Sequence, residues 1–284
     1  MRRLIVNADD FGLTGGVNLA ITELQRCGAL TSTTLMARAA ATPDALELAR
    51  ATPTLGVGCH VVLVDGEPML LPSQQIPNLA DLRSGLFRPK LGKFLLWLAQ
   101  DAVWSRHSPA EIEAEASAQI ASLQNQGLQL THIDTHKHTH MFPAVLRPVL
   151  RAAHAAGIRA VRNPFEPAWS LWATPGAPWL RRTEVALLRL LEPNFRRIVA
   201  EEGMITTDGA IGVLATGTLD ATTVRVLLAR MPEGTWELVA HPGYNDADLA
   251  QARTRLLASR ELERTALAAV REFPAIKLIT FAEL

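Results

Sequence analysis

The chain has 284 residues, a length that α/β barrels reach as one domain. Apolar residues make up 48% and charged residues 20%, and Lys plus Arg equals Asp plus Glu at 28 each, which leaves no overall electrostatic footprint for nucleic acid or an anionic membrane. Two cysteines, Cys27 and Cys59, exclude a disulfide framework and a Cys-based zinc site, and point to the cytoplasm.

The first apolar run, Leu4–Val6, is too short for a signal peptide, and nowhere do 18 uninterrupted apolar residues mark a transmembrane helix. The chain reads as soluble and cytoplasmic, without stable membrane insertion. Short apolar runs alternate with helical patterns, as in βα units around a parallel sheet. Arg3–Ala8 is predicted as a strand, followed by a turn through Asp9–Gly16 and a helix over Val17–Arg26. Thr31–Ala37 is the second strand; Thr42, as N-cap before Pro43, opens the second helix. Leu55–Val64 is the third strand. Ser108-Pro109-Ala110-Glu111 reads as a capping box for a helix to Asn125.

Strand Gln129–Asp134, helix Pro143–Ala156 and strands Arg159–Arg162 and Ala210–Leu214 follow. A helix capped near Asp220, strand Thr235–Ala240, helix Ser259–Glu272 and strand Ile276–Thr280 complete the series. This is an α/β fold of seven or eight parallel strands, TIM-barrel-like, in a single domain over residues 1–284. Two long insertions, Asp65–His107 and Asn163–Asp208, follow strand C-termini, where barrel loops build active sites. Both are rich in Pro, Trp and Leu, suited to covering the barrel top or forming an apolar lid; tryptophans exposed there would serve a homodimer interface.

Four signals carry chemistry. Asn7-Ala8-Asp9-Asp10-Phe11-Gly12 places two adjacent carboxylates at a strand terminus, a like-charge arrangement that a cation relieves. His60 ends the apolar run Gly56-Val57-Gly58-Cys59. Thr131–His140 contains His132, Asp134, His136, His138 and His140, and strand alternation puts the first three, with His138, on one face while the chain stays extended. Imidazoles with carboxylate suit zinc, manganese, iron or nickel, magnesium being less typical of histidine-rich sites. Asp134 fits equally as a ligand or as the group that orients a ligating ring. His241, before Pro242-Gly243-Tyr244, ends another strand. All four sit at strand C-termini and converge on one face, which defines a one-metal hydrolytic site with its ligands among these residues.

With NADDFG at residues 7–12, a Gly-x-His in the third strand, THIDTHKHTHMFP mid-chain and HPGY at 241–244, the sequence resembles the YdjC-type carbohydrate deacetylases, the ChbG/HpnK family. The resemblance implies a distorted (β/α) barrel and hydrolysis of the N-acetyl group of an amino sugar, either a chito-oligosaccharide or an N-acetylglucosaminyl glycolipid. It implies one divalent ion (zinc, magnesium, manganese, iron, nickel or cobalt) on Asp10, His60 and His136. It further implies Asp9 as base and His241 as acid or oxyanion partner. Lys137 departs from the family pattern, and so does the apolar Asn163–Asp208 insertion. A two-metal phosphoesterase and a non-catalytic sugar- or glycolipid-binding protein are the alternatives.

Overall fold

A computed structural model describes residues 1–104 and 108–284. Strands β1 (Arg2–Phe11), β2 (Ser32–Leu35) and β3 (Gly56–Val61) come first, and a small antiparallel ribbon, β4 (Ala80–Asp81) with β5 (Leu86–Phe87), interrupts the series. Then come β6 (His132–Thr135), β7 (Ala160–Val161), β8 (Ile205–Thr206), β9 (Gly209–Ile211), β10 (Gly234–Ala240) and β11 (Lys277–Leu278). The main sheet is all parallel, in the order β8-β7-β6-β3-β2-β1-β10-β9, with β11 beside the start of β1. Only Thr207 and Asp208 separate β8 from β9, so one stretch of chain joins the two edges of the curled sheet. The α/β barrel-like arrangement of parallel strands agrees with the βα rhythm of the sequence.

The helices are α1 (Gly15–Arg26), α2 (Thr42–Ala51), α3 (Leu91–Trp104), α4 (Ser108–Asn125), α5 (Pro143–Ala155), α6 (Ala168–Ala173), α7 (Trp179–Leu188), α8 (Glu192–Glu201), α9 (Ala221–Arg230), α10 (Ala247–Gln251) and α11 (Ala258–Ala266). No helix among the described residues is long and apolar enough to cross a membrane. Asp220 caps α9 as predicted, accepting from the Thr223 N–H at 2.7 Å.

Several local expectations are corrected. Thr42 does not cap α2: its hydroxyl donates to the Met36 carbonyl at 2.8 Å and pins the chain leaving β2. The box contact predicted for Ser108 involves a side chain outside the described part of the structure. Its partner Glu111 holds the first insertion instead, accepting from the Asn78 and Leu79 N–H groups at 2.9 and 2.8 Å. The second insertion contains β8 as well as α6–α8, and the predicted last helix breaks after Ala266 into a 3-10 turn. The strands are mostly shorter than their apolar runs, since barrel curvature limits ladder pairing to part of each run.

The barrel interior is layered. Ile5, Ala160, Ile279 and Phe281 form an apolar floor. Above it the His132 ring stacks on Phe281, with centroids 3.9 Å apart, and its Nε2 lies 3.2 Å from the Asn7 side-chain oxygen. Gly58 faces that ring, and a Cβ at this position would come within 2.6 Å of it. Glycine is therefore needed on β3 because a neighbouring strand sends an imidazole across it. Higher still, the interior turns ionic.

Candidate active site

The ionic layer begins with a fault in β1. Ala8 and Phe11 pair with Thr33 and Leu35, so three steps along β1 match two along β2. The extra residue is accommodated at Asp10, whose φ is +65°, in the left-handed region. Adjacent side chains of a regular strand face opposite ways; a bulge breaks that alternation. Asp9 and Asp10 thereby both line one cavity of about 880 Å³ at the C-terminal face, although both are buried.

The two carboxylates have different partners. Asp10 Oδ2 accepts from Arg260 Nη2 at 2.5 Å, while Asp10 Oδ1 is buried without any hydrogen-bond partner. That orphan oxygen lies 3.5 Å from His60 Nε2 and 3.4 Å from His136 Nδ1, and the two ring nitrogens are 3.2 Å apart. His60 Nδ1 sits 2.7 Å from Asp134 Oδ1, which leaves the Nε2 lone pair facing the gap. One carboxylate oxygen and two imidazole nitrogens thus converge, a ligand set suited to a divalent cation. Burial alone would lower the His60 pKa, but Asp134, Asp9 and Asp10 hold it up at about 9. For Asp10, burial is opposed by Arg260, His136 and His60, and its pKa falls well below the ordinary carboxylate range.

Asp9, His60 and Asp134 also offer converging ligand atoms, but Arg162 occupies that second group. Fully buried, Arg162 donates to Asp9 Oδ2 at 2.8 Å and Oδ1 at 2.6 Å, reaches Asp134 at 2.5 Å and meets Glu237 at 2.7 Å. Asp9 Oδ1 further accepts from Asn7 at 3.1 Å and Thr34 at 3.4 Å. Oδ2 takes only the Arg162 bond and lies 3.7 Å from His241 Nε2. Oδ2 is therefore the Asp9 oxygen with capacity to take a proton. Burial works to raise Asp9, but Arg162, His60 and His241 together push it far below its usual value. Burial raises Glu237 to about 7 despite Arg162.

His241 ends β10 opposite Asp9. Its backbone N–H donates to Glu263 Oε2 at 2.6 Å, and the same oxygen lies 3.6 Å from its ring Nδ1. Burial disfavours a charged ring here, but Glu263, Asp9 and Asp10 outweigh it and raise the His241 pKa. Glu263 is fixed in turn by the Gly217 N–H at 2.8 Å.

The histidine run divides. β6 stops at Thr135, and Lys137 and His138 take φ of +56° and +52°, so alternation does not continue to His138 as predicted. His136, just before the turn, still reaches Asp10 and His60. His138 lines the cavity but does not belong to the Asp10–His60–His136 cluster. His132 lies just above the floor, and His140 is structural: its Nδ1 is 2.7 Å from the Thr135 hydroxyl and its Nε2 is 3.3 Å from the Arg162 carbonyl. Arg162, Glu237, Arg260 and Glu263 were not singled out in the sequence. For Glu237 a signal existed: a charged residue within the apolar strand Thr235–Ala240 must find a partner.

A curled parallel α/β sheet with Asp, His and Arg side chains gathered at its C-terminal face defines an α/β barrel protein with an ionic mouth. The YdjC-like protein family matches residues 3–273, and the chain belongs to that family. It is 28% identical over 267 residues to a carbohydrate deacetylase of Thermoanaerobacter pseudethanolicus, covering 94% of this chain and 91% of that protein. It is 45% identical over 163 residues to a carbohydrate deacetylase of Brevibacillus brevis, a match spanning 57% of this chain and 60% of that protein. A chitooligosaccharide deacetylase of Salmonella paratyphi B is 40% identical over 158 residues, 55% of this chain and 58% of that protein. Among solved structures, a candidate cellobiose-phosphate cleavage protein of Enterococcus faecalis V583 superposes with a TM-score of 0.75 at 24% identity, covering 99% of this chain and 98% of that one. It supports the fold alone.

Proposed function

We propose that the chain is a carbohydrate deacetylase that hydrolyses the N-acetyl group of an amino sugar, using one divalent ion held by Asp10, His60 and His136. The observation that carries this reading is the buried, unpartnered Asp10 Oδ1 facing two imidazole nitrogens within 3.5 Å, with Asp9 and His241 on the adjoining wall. The names of the relatives support the substrate class. A divalent ion in that cluster supplies Lewis acidity, acidifying water and polarising the acetamide carbonyl.

The side chains divide the proton work. Arg162 keeps Asp9 ionised at neutral pH, and Asp9 Oδ2 accepts the proton of the attacking water. Glu263 favours the protonated His241 ring, and His241 Nε2 donates to the departing amine. Asp134 fixes the ring of His60, and Arg260 fixes Asp10, so two of the three cluster residues are oriented by a group behind them.

The test is acetate release from N-acetylated sugars and chito-oligosaccharides, with elemental analysis of the same preparation. The expected result is one metal equivalent per chain, loss of turnover on chelation and recovery on adding a divalent ion. Undiminished acetate release after metal stripping would overturn the metal assignment. Two equivalents together with phosphate-ester cleavage would favour the phosphoesterase.

Glu263→Gln supplies a sharper check on His241. Removing the charge lowers the His241 pKa, so the fall in kcat on the alkaline side should begin at lower pH than in the unmodified enzyme. A purely structural role for Glu263 would depress kcat at every pH without moving that limb.

A further inference from the structure

The 28-to-28 charge balance conceals a local imbalance at the cavity mouth. Lys90, Lys93, Arg253 and Arg255 line the cavity and form no ion pair among the described residues. Arg181 joins them, with only Glu184 at 3.8 Å as a partner. Beside this basic rim, the second insertion presents large apolar side chains to solvent. Trp172, Trp179 and Leu190 are each 77% exposed, and Leu180 and Leu187 are more than half exposed.

These side chains form an ordered pattern. Trp179, Thr183, Ala186 and Leu187 share one face of α7 by helical spacing, and Leu190 continues it into the following 3-10 turn. The opposite face is anchored: Val185 packs with Leu171 and Leu214, the latter just beyond the C-terminal end of β9. Arg181, on the other side of α7, lines the cavity, so the apolar stripe flanks the cavity mouth. Arg182 connects the stripe to α6, with its guanidinium 5.6 Å from the Trp172 ring centroid and hydrogen bonded to the Leu171 and Thr174 carbonyls.

We propose that this face docks peripherally on an anionic lipid bilayer, with Trp172, Trp179, Leu187 and Leu190 entering the headgroup region and the basic rim facing the lipid phosphates. Exposed tryptophans suit that boundary, since the ring is apolar and its N–H stays hydrated. The charge decides between lipid and a second copy of the chain. An isologous dimer would bring the unpaired Lys90, Lys93, Arg253 and Arg255 near their own images, whereas anionic headgroups complement them.

The experiment is vesicle co-sedimentation of the full chain, with phosphatidylcholine vesicles compared against vesicles about one third phosphatidylglycerol. Partitioning onto the anionic vesicles should be at least about tenfold stronger, should weaken between about 0.1 and 0.5 M NaCl, and should shift tryptophan emission to the blue. Trp179→Glu with Leu187→Glu should lower partitioning about tenfold or more, with thermal unfolding unchanged because both side chains are exposed. Arg253→Glu with Arg255→Glu should remove the preference for anionic vesicles. Equal binding to both vesicle types, or none, overturns the proposal. So does a concentration-dependent dimer that Trp179→Glu dissociates. Binding is read without turnover, so the result stands or falls independently of the deacetylase reading.

Discussion

Asp9→Asn is expected to lower kcat for acetate release about a thousandfold while leaving the metal content unchanged. The substitution keeps the shape of the side chain but removes the lone-pair capacity of Oδ2, the one Asp9 oxygen not saturated by Asn7, Thr34 and Arg162. Asp10, His60 and His136 do not use Asp9, so the ion-holding cluster survives. Fold stability should fall as well, because the buried Arg162 guanidinium loses one of its carboxylate partners. Asp9 is one of the like charges that help keep Glu237 up near pH 7, and its loss lets Glu237 ionise more fully against Arg162. Turnover and elemental analysis on one preparation check both halves. A variant that retains native kcat shows that another group takes the proton; one that loses its metal shows that Asp9 is a ligand.

The second large effect is on stability. Arg162→Met should destabilise the fold by about 3–5 kcal/mol at neutral pH, a large share of a typical domain's total. One fully buried guanidinium partners Asp9, Asp134 and Glu237, and its removal leaves their charges uncompensated in the barrel interior. The sign of the pH dependence should also reverse. In the intact protein the Asp9 pKa is depressed, so its contribution is complete above the unfolded carboxylate value and is lost only as pH falls through the folded value. Without Arg162, burial raises these carboxyls, and their contribution is present at low pH and lost as pH rises. Urea unfolding at about pH 5 and about pH 8 separates the cases: the variant should be the more stable of its two states at the lower pH. A variant no more stable at about pH 5 than at about pH 8 would show that Arg162 is not what neutralises the cluster.

The site was legible in unequal parts. The Asp-Asp pair, His60, the histidine run and His241 stood out because each follows a strand-like run, and strand ends in such folds meet at one face. Their roles did not follow from alternation. Alternation gave His132, Asp134, His136 and His138 one common face. The folded chain puts His132 above the floor, Asp134 behind His60, His136 in the cluster and His138 on the cavity wall.

Sequence alone determined the parallel α/β architecture, because hydrophobic periodicity is local and strong enough to fix each βα unit. It also placed the chemistry at the strand ends, because polar residues there interrupt apolar runs. Two further features were decided only in three dimensions. The bulge at Asp10 and the left-handed turn at Lys137 and His138 aim the side chains, and both depend on the register between strands. The partners that assign the oxygens come from far along the chain: Arg260 meets Asp10 across 250 residues and Arg162 meets Asp9 across 153. No local pattern encodes such pairings. They exist because the barrel brings its strands round to a common interior, where a buried charge must find its counter-ion.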